Sequence, residues 1–225
     1  MRSVLLSLLS GGIDSTLATL AAIQAGNNRS ISRIVPVFLD YGQKSRRQEW
    51  RAVSRVSEKL RAEAISKGIR FVSPVRIELF AHAKKGMGLF EWSESMLLEG
   101  NKSDIVEVEN RNMVLLSSVA SYAKSCVKCN EKAVIVTGFR DEFYDTSVGF
   151  LEQLNKLFES MKVRISVSAP VIEYKGDVGK KRLVDEYRRK GYKDLIDMTW
   201  SCYEPFRNRP CEECPACTKR DKATD

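Results

Sequence analysis

The chain has 225 residues, of which 43% are hydrophobic and 29% charged. That length makes one large domain with room for a small appendage, and the composition excludes a disordered chain. No apolar run approaches the ~18 residues of a membrane span. Thirty-seven basic residues against 29 acidic ones leave a net charge of +8, spread unevenly. From Lys44 to Arg61, seven basic residues (Lys44, Arg46, Arg47, Arg51, Arg55, Lys59 and Arg61) face only Glu49 and Glu58, a local charge of +5. From Glu91 to Glu109 six acidic residues face only Lys102. The basic window suits an anionic partner, or is simply a solvated helix face.

In chain order, Val4–Leu9 is a short continuous apolar run, as expected of a parallel strand buried on both faces. It has the length of a signal-peptide core but no small-residue cleavage site after it, so a core strand and a cytoplasmic location are expected. A helix follows over Asp14–Ala25, with Leu17, Leu20 and Ala21 on one side. Ile34–Leu39 is a second strand, although Pro36 removes a ladder donor and argues against a central position. Gln48–Lys67 reads as a long helix with Trp50, Val53, Leu60 and Ala64 on one face. Ile69–Val72 is a weaker strand. Residues 76–108, with the sole histidine, His82, show no clear period and read as an insertion over a site; His82 is not assigned a role. Regular spacing returns in a helix over Arg111–Ser125, a strand over Ala133–Thr137, a helix over Phe150–Met161, a strand over Ile165–Ala169 and a helix over Lys180–Lys190. This alternation predicts an α/β fold with a parallel sheet covered by helices. Ligands in such folds bind at the carboxyl ends of the strands.

Three motifs carry chemistry. Ser10-Gly11-Gly12-Ile13-Asp14-Ser15-Thr16 joins the first strand to the first helix. Its glycines let the backbone turn sharply, and its hydroxyls and the unpaired N–H groups of the helix start form an anion cradle. A phosphoryl-transfer P-loop needs a lysine after its glycines, and the first lysine in the chain is Lys44. Asp40-Tyr41-Gly42-Gln43 ends the second strand, either as an ordinary turn or as a second wall of a nucleotide site. Near the C-terminus stand Cys202, Cys211, Cys214 and Cys217, spaced Cys-x8-Cys-x2-Cys-x2-Cys. Four thiolates close a tetrahedron and mark a structural zinc site. An iron–sulfur cluster is the competitor, but its fourth cysteine usually follows closely, whereas Cys202 precedes the others. Cys126 and Cys129 lack further ligands nearby and read as incidental, with a redox role as the alternative.

The Ser-Gly-Gly-x-Asp-Ser loop resembles that of the ATP pyrophosphatases, which cleave ATP to AMP and pyrophosphate. With Asp40–Gln43, Arg111-Asn112, Asp145 and Thr199–Tyr203 plus the cysteines, the chain resembles the 7-cyano-7-deazaguanine synthase family (QueC type) along nearly its whole length. The resemblance implies a Rossmann-like parallel sheet over residues 1–198 with a zinc knuckle over 199–225. It implies ATP, Mg2+ and structural Zn2+ as cofactors, a small deazaguanine substrate and a homodimer. Nucleotide contacts are expected from Leu9, Ser10, Gly11, Gly12, Ile13, Asp14, Ser15, Thr16, Asp40, Tyr41 and Gln43. Asp14, Arg111 and Lys180 are expected to be catalytic, with Asp14 turned toward magnesium or the loop. Asn112, Gly138 and Asp145 are expected at the substrate, and the four cysteines at zinc.

The chain also departs from the family pattern. Glu109 stands where the family has proline, and Ser45 where histidine is common. Phe143-Tyr144-Asp145-Thr146-Ser147 keeps the aspartate of the family's Tyr-Pro-Asp-Cys-Arg but loses its cysteine and arginine. The expected reaction is adenylation of 7-carboxy-7-deazaguanine and its conversion by ammonia, through the amide, to the nitrile. The alternatives are a ligase that joins the activated carboxylate to a protein amine, docked on the basic window, a tRNA-modifying enzyme, and an inactive scaffold.

Overall fold

The computed structural model describes residues 1–79 and 111–225. The expected insertion, His82 and Glu109 lie largely or wholly outside the described residues. Strand β1 (Arg2–Leu8) runs into helix α1 (Ile13–Ala25), β2 (Ile31–Asp40) and α2 (Arg46–Ser66). Two short strands follow, β3 (Arg70–Phe71) and β4 (Val75–Glu78). After the undescribed stretch come α3 (Arg111–Cys126), β5 (Glu131–Val136), a single 3-10 turn (Tyr144–Thr146), α4 (Val148–Ser160) and β6 (Ile165–Ser168). Helices α5 (Gly176–Arg189), α6 (Lys193–Asp197) and α7 (Pro215–Thr224) complete the chain.

The sheet is parallel throughout, in the order β3-β2-β1-β5-β6, with β4 also pairing β2. Alternation along each strand sends side chains to two cores. Leu5, Leu9, Ile34 and Phe38 meet Leu17, Leu20, Val53, Val56 and Leu60 on one face. Val4, Leu6, Val35, Val37 and Leu39 meet Leu116, Val119, Leu154 and Phe158 on the other. Both faces are dry, which is why these strands read as continuous apolar runs.

Pro36 is the first correction, because β2 is central after all. Residues of β2 whose backbone polar groups face the outer side are Ile34 and Asp40, which accept from Val72 and Leu79. Pro36 belongs to that same alternating set. The outer neighbour changes from β3, paired to Arg33 and Ile34, to β4, paired from Val37 onward, at this point. The missing N–H therefore falls opposite the gap between two partner strands and costs no ladder bond. At the other edge, Asn155 donates to the Val167 carbonyl (3.1 Å) and accepts from its N–H (2.7 Å). Those outward groups of β6 are thus paired by a side chain, which blunts the edge. No described helix is long and apolar enough to cross a membrane.

The strand order changes direction about β1: the chain first builds outward to β2 and its neighbours, then returns to place β5 on the other side. A crevice opens at such a switch point. Around it lie the loop after β1, the loop after β2, the loop after β5 and the first turn of α3.

Candidate active site

The loop is shaped by two close approaches. Gly11 has φ +79, a region that favours glycine, and a Cβ there would lie 2.8 Å from the Glu49 carbonyl oxygen and 2.9 Å from the Ala52 Cβ. Gly138, just past β5, would place a Cβ 2.5 Å from the Ser15 nitrogen. The helix start is thereby wedged between α2 and the end of β5. Gly138 packs directly on the helix start at Asp14 and Ser15. Ser10 and Ser15 share a hydroxyl contact of 3.1 Å, and Ser15 Oγ also donates to the Gly12 carbonyl at 3.2 Å. No side chain caps the first turn of α1, so its N–H groups face the crevice with the positive end of the helix dipole. Leu9 and Ile13 are buried in the core and brace the loop from below.

Asp14 does not stand as a free carboxylate. Lys180 Nζ donates to its Oδ2 at 2.9 Å, and Arg140 Nε lies 3.1 Å from its Oδ1. The two cations come from the loop after β5 and from α5. Asp40, buried at the end of β2, accepts from the Gly42 N–H at 2.9 Å and pairs with Arg76 of β4. Gln43 folds back to accept from the Tyr41 N–H (3.0 Å) and to donate to Glu49 (2.8 Å). Ser45 donates to the other Glu49 oxygen at 2.6 Å. Burial raises the Glu49 pKa despite these donors and nearby Arg111.

Arg111 projects from the first turn of α3 and donates to the Tyr41 hydroxyl. Burial pushes that hydroxyl up to about 12 even so. Asn112 donates its backbone N–H to buried Asp145 at 3.4 Å, so Asp145 sits at the first turn of α3. The structure brings together the loop, Asp40–Gln43, Arg111 and Lys180, and puts Asn112 and Asp145 beside each other. Glu49, Arg76 and Arg140 escaped the sequence reading. Arg140 had one usable signal: it follows a buried strand as Asp40 does, in the loop region where ligands bind.

The cysteine segment closes over the same crevice. The sulfurs of Cys202, Cys211, Cys214 and Cys217 lie within 4.8 Å of one another and can hold a metal ion. Backbone N–H groups of Cys211 and Cys214 point at Cys202 Sγ (3.2 Å) and Cys211 Sγ (3.4 Å). Burial alone raises the Cys211 thiol, but backbone donors outweigh it and bring it down to about 7; burial pushes Cys202 up to about 11. The segment is tied to the nucleotide loop by a backbone bond from Trp200 N to the Gly11 carbonyl, 2.8 Å. It is tied to the loop before α2 by Lys44–Glu204 (2.9 Å), and to α2 by Gln48 to the Arg207 carbonyl (2.6 Å) and Arg51 to Asn208 (2.8 Å). Much of the basic window thus holds the chain's own tail. Cys126 and Cys129 lie at the opposite end of the strands, just before β5, and their carbonyls accept from Arg33 and Arg164.

A family model described as queuosine biosynthesis protein QueC matches residues 4–225. A 7-cyano-7-deazaguanine synthase of Methanothrix thermoacetophila is 30% identical over 95% of this chain and 90% of its own. The 7-cyano-7-deazaguanine synthase 1 of Desulfitobacterium hafniense is 27% identical, covering 96% and 89%. The synthase of Methanothermobacter thermautotrophicus is 28% identical, covering 99% and 94%. Among solved structures, a U34-tRNA thiolase, NcsA from Methanococcus maripaludis with its 4Fe-4S cluster, aligns with a TM-score of 0.44 at 15% identity. It covers all of this chain and 64% of that one, and is too distant to inform the site.

Proposed function

The chain belongs to the QueC family of queuosine biosynthesis proteins, and from that premise we propose that it adenylates 7-carboxy-7-deazaguanine with ATP and converts it, through the amide, to 7-cyano-7-deazaguanine. It is an ATP-dependent carbon–nitrogen ligase. What supports the reading most is the set of groups gathered at one switch point: the uncapped start of α1, Arg111 and the Asp14–Lys180 pair.

A carboxylate resists ammonia because oxide is a poor leaving group. Attack of the carboxylate oxygen on the α-phosphorus expels pyrophosphate and makes AMP the leaving group. Ammonia then displaces AMP to give the amide. A second adenylation, on the amide oxygen, lets AMP depart again and leaves the nitrile. Each step needs anions held and oriented, and no histidine is needed to do it. The N–H groups of Gly11, Gly12 and Ser15 with the hydroxyls of Ser10, Ser15 and Thr16 serve the pyrophosphate. Arg111 balances charge on the reacting phosphate. Leu9 and Ile13 fix the loop, and Asp40, Tyr41 and Gln43 line its far side. Asn112 and Asp145 face the base. Magnesium enters with the triphosphate: Asp14, Asp40 and Glu49 each already accept from a protein donor.

Zinc is the ion we assign to the cysteines. One ion about 2.3 Å from four sulfurs spaces them about 3.8 Å apart. The Cys202–Cys211 and Cys214–Cys217 sulfurs are 3.5 and 3.6 Å apart. A four-iron cluster gives each thiolate its own iron and spreads the sulfurs wider. Residues 199–225 then act as a zinc-held flap on a domain spanning 1–198, and the chain forms a homodimer. The test is AMP and pyrophosphate release with the carboxylate and ammonium, with metal content measured on the same sample. Turnover with about one zinc per chain is expected; an iron chromophore or tRNA-dependent turnover would overturn it.

A further inference from the structure

Arg140 is a charged residue that the reaction as written does not use, yet it is only 5% exposed. Its guanidinium is fully committed. Nε faces Asp14 Oδ1 at 3.1 Å, and Nη2 pairs with Glu142. Nη1 donates to the carbonyls of Tyr174 (3.1 Å) and Gly176 (2.8 Å). Those carbonyls belong to the turn that starts α5, the helix that carries Lys180. One side chain therefore touches the nucleotide-loop helix, the loop after β5 and the start of α5.

Lys180 is itself buried, one turn into α5, with its ammonium 2.9 Å from Asp14. The start of α5 has no side-chain cap. Gly179 packs so closely on Tyr174 that a Cβ would sit 2.3 Å from its carbonyl carbon. The position of Lys180 thus depends on where the Tyr174–Gly176 turn sits, and Arg140 holds that turn from the side of Asp14, beside buried Tyr174 and the Lys175–Asp141 pair. The charges also balance locally: Asp14 and Glu142 against Arg140 and Lys180. Without Arg140, two carboxylates share one lysine beside a loop built for a polyanion. Lys180 is then held back by Asp14, and the surplus negative charge opposes the triphosphate.

We propose that Arg140 is the positioning residue of the phosphate site: it neutralises Asp14 and sets the start of α5 so that the Lys180 ammonium is available to the triphosphate. The proposal rests on the ATP-using reading above, and its test is separable from the choice of carboxylate. The probe is a non-cleavable ATP analogue with a methylene between the α- and β-phosphates, titrated by calorimetry into the full chain. Arg140→Met is expected to bind it roughly tenfold or more weakly, and Arg140→Lys to fall between. Metal content is expected unchanged in both. The double variant Asp14→Asn with Arg140→Met removes the orphaned acid, and its loss is expected to be smaller than the product of the two single losses. If Arg140→Met does not fold, Arg140→Lys and the double variant decide. Wild-type affinity in the variants, with only a lowered melting temperature, would make Arg140 a structural post and overturn the proposal. A wild-type chain that does not bind the analogue would overturn it together with the ATP reading. A wild-type chain that binds the analogue but makes no nitrile sinks only the substrate assignment, and the affinities still judge Arg140.

Discussion

The nucleotide loop and the cysteine segment meet at one backbone bond, from Trp200 to Gly11, and they are held by different means. The loop is fixed by its neighbours: Leu9 and Ile13 sink into the large core, Gly11 lies against α2, and Gly138 lies against α1. The cysteine segment has a core of its own made of little besides Cys202, Cys214 and Cys217, with Trp200, Cys211 and Ala216 beside them. Its last helix adds Ala223 to the main core, with Arg220 reaching Thr199 (2.8 Å) and the Ile196 carbonyl (3.1 Å), and polar bonds from Lys44, Gln48 and Arg51 hold the rest. A loop held by close packing is intolerant of an added atom. A segment held by thiolates is intolerant of losing its ion. The contrast matters for function because the second region lies over the first.

The largest effect is expected at the loop. Gly11→Ala forces a side chain into φ +79 against the Glu49 carbonyl, and is expected to abolish pyrophosphate release. It also costs about 2–4 kcal/mol in a urea titration. Full activity in that variant would break the packing account. Next is the ion: chelation, or Cys214→Ser, is expected to leave the parallel sheet intact by circular dichroism while activity falls roughly a hundredfold. The reason is that the Trp200–Gly11 bond loses its anchor and the loop shifts. Unchanged kinetics without metal would show the two regions to be independent.

A third test moves away from both regions. Glu131, at the amino edge of β5, is 2.9 Å from Arg33. Burial works against its charge, but donors from Ser32, Lys128 and Arg33 prevail and lower its pKa to about 2. A carboxylate depressed on folding stabilises above its unfolded pKa and loses that contribution as pH falls through the folded value. Glu131→Gln is therefore expected to cost about 1–3 kcal/mol at pH 7, with the difference closing as pH falls from about 4.5 toward 2. Pyrophosphate release should be unaffected at neutral pH. The smallest effect is expected at Lys44→Ala, which breaks a half-exposed pair with Glu204 and should change stability by about 0.2–1 kcal/mol.

The parts of the fold visible in the sequence are those where burial writes a pattern. β1, β2 and β5 read as strands because both their faces are dry, and α2 shows its stripe of Val53, Leu60 and Ala64. β4 escaped because only Val75 and Ile77 are half-buried, between the charged Arg76 and Glu78. Helix α7 escaped because its sequence is polar nearly all round; Pro215 starts it and Arg220 ties it down. At the site, the glycine loop and the four cysteines were legible because local spacing carries their chemistry. Arg140 and Glu49 were not, since each matters only through what another element brings to it. The basic window hid a further role for the same reason: Lys44, Arg51 and neighbouring Gln48 are bonded to the tail some 157–160 residues away.

The central claim is tested most directly by mass spectrometry of the product formed from 7-carboxy-7-deazaguanine, ATP and ammonium. The account predicts the nitrile, with two AMP and two pyrophosphate released for each nitrile formed. Amide that accumulates without going on to nitrile, or a deazaguanine adduct on a protein amine in place of it, would contradict it.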